Sequence, residues 1–238
     1  MRIGQILSGL LLAGLWMLAP PARAQASAPL SPAQEKRVQD ILRDMLKAHP
    51  ELVEQALTDL ETQRNDAAKA AILADGRHFA IGPKDAPVQI VEFFDYRCPY
   101  CKAAQGWMSN QARRRDVRLV FVEFPVLGPE SEEASRAALA AQRQGRYLPF
   151  HEALMAHRGA LDGPSIERLA KGAGLDIARL RKDMRDPAID ALLRANHERA
   201  ASLRFNGTPA FVINGQSQEG FDPAALDRLA KPLKAASR

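Results

Sequence analysis

The chain has 238 residues, of which 46% are apolar and 26% charged, with a formal net charge of +5. That much apolar material builds a packed core and excludes wholesale disorder, and the length suits one domain with an extension. The basic excess is small and mixed with acidic residues throughout, which excludes a nucleic-acid or anionic-lipid surface as the main business of the chain.

Arg2 precedes an apolar run from Ile3 to Leu18, and Ala22-Arg23-Ala24 follows as an A-x-A site. This reads as a secretory leader, residues 1–24, cleaved after Ala24. An uncleaved anchor is the alternative, but the run is short of the ~20 residues of a membrane span. Export with cleavage of the leader is therefore expected. With 33 basic and 28 acidic residues, losing Arg2 and Arg23 leaves the mature chain at +3.

Residues 25–30 read as a linker. Ser31-Pro32-Ala33-Gln34 predicts a helix start, with Ser31 as N-cap, Pro32 in the first turn and Gln34 closing a capping box. Val38, Ile41, Leu42, Met45 and Leu46 follow at helical spacing. His49-Pro50 marks a break, and Leu52, Val53, Ala56, Leu57 and Leu60 resume the stripe, extended by Ala67, Ala68, Ala71 and Ile72. Residues 25–79 thus form an N-terminal helical segment whose apolar face, over 31–75, packs either on its own domain or on copies of itself. The pattern leaves both open.

Gly82 to Pro87 is a turn-rich boundary. Val88–Phe94 predicts a strand, Pro99 opens a helix through Trp107 and Met108, and Val117–Val122 predicts a second buried strand, which together make a βαβ unit. From about 131 to 204 the signals are helical, punctuated by Gly172, Gly174, Asp186-Pro187 and Gly207. Ala210–Ile213 returns to strand, Asn214-Gly215 predicts a hairpin turn, and Asp222-Pro223 opens a last helix carrying Leu226, Leu229 and Leu233. The expected architecture is α/β with an all-helical insertion.

The chain holds two cysteines, Cys98 and Cys101. A bridge closing so short a loop adds little stability, so the pair is poorly placed as a staple. A structural zinc site needs about four ligands, and the five histidines are scattered; a c-type haem needs His at 102, where Lys stands. No cofactor and no metal is implied. A C-x-x-C pair beside a βαβ pattern reads instead as a redox site. Cys98 at a helix N-terminus faces unsatisfied N–H groups and the positive end of the helix dipole, with Arg97 adding positive potential. Its pKa should fall from about 8.5 into the range of roughly 3.5–7.5. Cys101, one turn inside, would be the resolving thiol.

The stretch Val91-Glu92-Phe93-Phe94-Asp95-Tyr96-Arg97-Cys98-Pro99-Tyr100-Cys101 resembles the active-site strand and turn of the disulfide-bond protein A (DsbA) family of thioredoxin folds. Glu123 to Ser131, the stretch from Ala134 through Tyr147, Phe150 and His151 to Leu154, and Gly207-Thr208-Pro209-Ala210-Phe211-Val212-Ile213 are also similar, so the resemblance spans about residues 80–235. It implies a thioredoxin fold over 80–238 with a helical insertion at about 131–204. It also implies a cis Pro209 facing the cysteines, with Thr208 presenting backbone to an extended substrate. Glu92 is, by the same resemblance, the family's buried acid, able to take the proton of Cys101.

Pro-Tyr between the cysteines, Thr before the proline and the long N-terminal extension depart from DsbA itself. They look more like the suppressor-of-copper-sensitivity C subgroup. The resemblance implies a periplasmic protein thiol–disulfide oxidoreductase with isomerase or reductase character. Such an enzyme would have protein substrates, a membrane-bound redox partner, an oligomer formed through residues 31–75, and no nucleic-acid partner. A monomeric oxidase and a copper-handling thiol protein, whose soft thiolates would suit Cu(I), are the alternatives.

Overall fold

The computed structural model describes residues 30–232; the leader, residues 25–29 of the linker, and Leu233 lie outside them. The chain divides into two compact units, residues 1–50 and 51–238. In the first, helix α1 (Pro32–Ala48) starts on the expected capping box: the Ser31 hydroxyl accepts from the Gln34 N–H, and the Gln34 side chain accepts from the Ser31 N–H. The stripe Val38, Ile41, Leu42, Met45 and Leu46 is exposed, and no residue of α1 is buried.

The second unit begins with helix α2 (Glu51–Ala74). A five-stranded sheet follows, made of β1 (Phe79–Ile81), β2 (Val88–Phe94), β3 (Val117–Glu123), β4 (Ala210–Ile213) and β5 (Gln216–Glu219), in the order β1-β3-β2-β4-β5. Only β2 and β3 run parallel, joined through helix α3 (Pro99–Ala112). Between β3 and β4 lie α4 (Pro129–Gln142), α5 (Tyr147–Ala156), α6 (Gly163–Gly172), α7 (Ile177–Asp183) and α8 (Pro187–Ser202), and α9 (Pro223–Leu229) closes the described chain.

The central strands are covered on both faces, which is why β2 and β3 read as near-continuous apolar runs. Val88, Ile90 and Phe94 face one core with Leu119, Phe121, Phe211, both cysteines and the inserted helices. Val91 and Phe93 face the other with Val120, Val122, Ala200, Phe205 and Ile72. In α4 the expected alanine face, Ala134, Ala137, Ala138 and Ala141, is wholly buried. Asp162, Asp176, Asp186 and Asp222 cap the helices that follow them. At the hairpin, Asn214 and Gly215 both take positive φ (50° and 85°), as a type I′ turn requires. This is the thioredoxin-like fold with helical insertion and N-terminal helices that the sequence implied.

Two features were not legible beforehand. Strand β1 lies just before the turn-rich boundary, across the expected division at 79/80, where no element was read, and pairs antiparallel with the outer edge of β3. The apolar stripe of α2 is also divided: Leu52, Val53, Leu57 and Leu60 are exposed, whereas Ile72 is fully buried on the sheet. An ion cluster fixes that end of the helix. Asp75 accepts from Arg199 at 2.8 Å and from Arg77 at 2.6 Å, beside the buried His78. Hydrogen bonds from Arg77, with Arg199 adding to them, hold the Asp75 carboxyl well below the usual range, and burial pushes His78 down to about 4. Among the described residues no helix is long and apolar enough to cross a membrane.

Candidate functional site

The site grows out of the end of β2. The chain turns through Asp95–Arg97, and α3 begins at Pro99 with Cys98 as its N-cap. Asp95 organises the turn from a fully buried position. Its Oδ1 accepts from the Arg97 N–H at 2.7 Å and the Ser131 hydroxyl at 2.8 Å. Its Oδ2 accepts from the N–H groups of Val126 and Leu127 at 2.8 and 3.0 Å, and its carbonyl accepts from the Cys98 N–H. One carboxylate thus joins the active-site turn to the loop after β3. That loop presents Val126 and Leu127 to solvent, as α3 presents Tyr100.

Both cysteines are free thiols and both are buried. Cys98 Sγ donates to the Thr208 carbonyl at 3.1 Å, and the Thr208–Pro209 bond is cis. The turn before β4 is therefore brought against the N-terminus of α3, 110 residues away in sequence. The Cys98 thiol is lowered to about 6. The hydrogen bond from Cys101 is the main cause, opposed by burial and reinforced by the Thr208 side chain and the backbone of Cys101 and Tyr100. The potential expected from Arg97 is directed elsewhere, because its guanidinium bonds the Leu127 carbonyl at 2.5 Å and Glu130 at 3.0 Å. Cys101 is the opposite case. Burial first, then its bond to Cys98 and the charge of Glu92, push its thiol far above the ordinary range. The two thiols are electrically unequal, one poised as a nucleophile and one held protonated.

Glu92 alternates with Val91 and Phe93, which face the other core, so it points to the side of the cysteines. It is 1% exposed, and its Oε2 has no hydrogen-bond partner. Burial, then the charges of Cys98 and Glu123, raise it to about 8. The structure therefore brings Cys98, Cys101, Thr208, Pro209 and Glu92 to one region of the fold. Among the described residues no group of three or more His, Cys, Asp or Glu side chains is arranged to hold a metal ion.

Sequence reasoning missed a second buried acid. Glu123 ends β3 in phase with Leu119 and Phe121, and its Oε1 accepts from Tyr96 at 2.9 Å and Tyr147 at 2.7 Å. Burial raises it to about 8, against the pull of its hydroxyl neighbours. Tyr96 also meets His151 Nδ1 at 3.0 Å, and burial lowers His151 to about 3, so the ring is neutral. The available signal was the phase: a charged residue falling on the inward positions of an apolar strand.

A family model described as DSBA-like thioredoxin domain matches residues 89–234. A thioredoxin-like oxidoreductase from Silicibacter pomeroyi superposes with a TM-score of 0.64 at 38% identity, covering 66% of this chain and 92% of that one. A linker-deletion variant of Proteus mirabilis ScsC superposes with a TM-score of 0.66 at 31% identity, covering 86% and 97%. A periplasmic thioredoxin-like protein from Salmonella enterica gives 0.63 at 28% identity, covering 69% and 94%. Curated relatives include a Na(+)/H(+) antiporter of Mycobacterium sp. (strain KMS), 34% identical over 154 residues. That match takes in 62% of this chain, which spans about a quarter of the antiporter's length (25%).

Proposed function

The chain belongs to the family of DSBA-like thioredoxin domains, and from that premise we propose that it is a thiol–disulfide oxidoreductase acting on protein cysteines through Cys98 and Cys101, with isomerase or reductase character. The observation that carries this reading is the Cys98 thiol. It caps α3, is lowered to about 6, and lies 3.1 Å from the Thr208 carbonyl at the cis Pro209.

The Cys98 thiolate attacks one sulfur of a substrate disulfide. A Cys98–substrate disulfide forms, and the other substrate sulfur leaves as thiolate. Thr208 and Pro209 hold the extended substrate segment. Cys101 then gives its proton to the Glu92 carboxylate and attacks Cys98 Sγ. The Cys98–Cys101 bond forms, and the second substrate sulfur departs reduced. In isomerisation a substrate thiolate displaces Cys98 before Cys101 acts, so no net electrons move. A membrane-bound reductant would return the Cys98–Cys101 pair to the dithiol.

The reading extends to the whole chain. Residues 1–24 direct export and are removed, residues 25–79 form the helical extension, and residues 80–238 work in the periplasm as the thioredoxin-like domain. The exposed stripe on α1 and the first half of α2 supports self-association through residues 31–75. An oligomer would surround a misfolded client with several thiol pairs and hinder access of an oxidant.

The test is reactivation of scrambled ribonuclease by the reduced mature chain, with Cys98→Ser as control. Cys98-dependent reactivation is expected. No reactivation, with oxidation of a reduced dithiol peptide by the oxidised chain, would replace this reading by a disulfide donor.

A further inference from the structure

Glu92 has a part in the proposed exchange; Glu123, equally buried, has none. The two acids are nonetheless neighbours. In the parallel ladder Glu92 pairs with Phe121, and Phe94 pairs with Glu123. Residues two apart on a strand share a face. Glu92 and Glu123 therefore sit diagonally on the cysteine side of the sheet, about 8 Å apart from strand spacing and rise.

The surroundings of Glu123 suit a group that changes charge without changing shape. Tyr96 has one hydroxyl proton and donates it to Glu123 Oε1. Its contact with His151 then requires the imidazole proton on Nδ1, with Tyr96 accepting. Tyr147 fills the second acceptor position on Oε1. Oε2 makes no hydrogen bond of standard geometry, the Ser135 hydroxyl being its polar neighbour, and it can carry or lack a proton while those bonds persist. The groups facing Glu123 are Glu92 from β2, Tyr96 and Asp95 from the turn, Ser135 from α4, and Tyr147 and His151 from α5; Asn196 of α8 bonds its backbone carbonyl. None is a cation. When Glu123 is ionised its charge is unneutralised, and Glu92 lies within its reach. The groups facing Glu92 are Cys98, Cys101, Glu123 and Tyr147.

We propose that Glu123 is a positioning residue that sets the proton affinity of Glu92, and through it the pH at which Cys101 releases a bound substrate. This rests on the reading of Glu92 as proton acceptor for Cys101.

Dithiodipyridine separates the steps. Cys98 attack expels one thiopyridone and leaves a Cys98–thiopyridyl disulfide. Cys101, its proton passing to Glu92, then attacks Cys98 Sγ and expels the second. The second phase is followed by rapid mixing across pH, with the first phase as internal control. In Glu123→Gln the acid limb of the second phase should move down by about one pH unit, as expected for removing a like charge at that distance. That makes the phase roughly tenfold faster on the acid limb, where a merely damaged site would be slower at every pH. Tyr96→Phe, which removes a donor that holds the Glu123 charge, should move the limb the same way by less, and it serves if Glu123→Gln fails to fold. Glu92→Gln should abolish the limb. A limb that survives Glu92→Gln overturns the acceptor role and this inference with it. A limb lost in Glu92→Gln but unmoved in both Glu123→Gln and Tyr96→Phe overturns this inference alone. Infrared titration of the protonated-carboxyl band lost in Glu92→Gln gives an independent reading. That band should titrate lower in Glu123→Gln, and an unshifted titration rejects the coupling.

Discussion

Replacing Glu92 by Gln should change the pH dependence of stability as well as turnover. Burial is the main reason that this carboxyl rises from 4.5 to about 8 in the folded chain. Between those values the unfolded chain gives up the proton and the folded chain keeps it. The stability that Glu92 contributes is therefore fully present below pH 4.5 and is lost as pH rises toward 8. Over the stretch from 4.5 to 7, at about 1.4 kcal/mol per pH unit, the loss reaches about 3 kcal/mol. Glutamine does not titrate. The stability of the variant relative to the parent should thus improve by about 3 kcal/mol between pH 4 and pH 7. A constant offset of about 1–3 kcal/mol from the unpaired amide N–H leaves that slope untouched. The assay is equilibrium urea unfolding of the reduced chain at one protein concentration across this range. In the oxidised chain, which lacks the Cys98 thiolate, the slope should be smaller. A difference between variant and parent that is the same at every pH would refute the claim that burial controls this acid.

Four further outcomes follow from the same geometry. The ultraviolet absorbance of thiolate should titrate with a midpoint at about 6 and vanish in Cys98→Ser, while Thr208→Val should raise the midpoint by removing one of the groups that lower it. Asp95→Asn should cost about 1–3 kcal/mol, because an amide N–H₂ meets groups that are all donors; faster hydrogen exchange at Val126 and Leu127 checks it. Deleting residues 25–50 should lower the assembly state in sedimentation while both dithiodipyridine phases persist, and an unchanged mass would defeat self-association through α1. By contrast, Ile72→Ala, at the buried end of α2, should cost about 2–4 kcal/mol in urea unfolding.

Much of this molecule is local in origin. The strands Val88–Phe94 and the run from Val117, the helix start at Pro99, the capping box at Ser31 and the turn at Asn214-Gly215 follow from period, proline placement and turn chemistry within a few residues of each other. The redox pair is equally local, since Cys98 caps α3 and Cys101 lies in its first turn whatever surrounds them. Glu92 was found through a family resemblance, although its phase on an apolar strand carries the same message.

What the sequence could not decide is what meets what across long intervals. Strand β1 has three residues, too few to show a period, and exists because the outer edge of β3 offers it partners. The α2 stripe is continuous in the sequence, yet Leu52, Val53, Leu57 and Leu60 stay exposed, while Ala68 and Ile72 pack with Val91 and Phe93 and Asp75, just past the helix, finds Arg199. The charge of Arg97 goes to Glu130 instead of Cys98 because Asp95 folds the loop after β3 against the active-site turn. The Glu123 cluster draws Tyr96 from the active-site turn and Tyr147 and His151 from α5 into one buried site. Residue type determined that two thiols were available for exchange. Hydrogen bonds from Cys101 and Thr208 make one of them acidic against its burial, and burial, which depends on the whole fold, keeps its neighbour and two carboxyls beside them protonated near neutral pH.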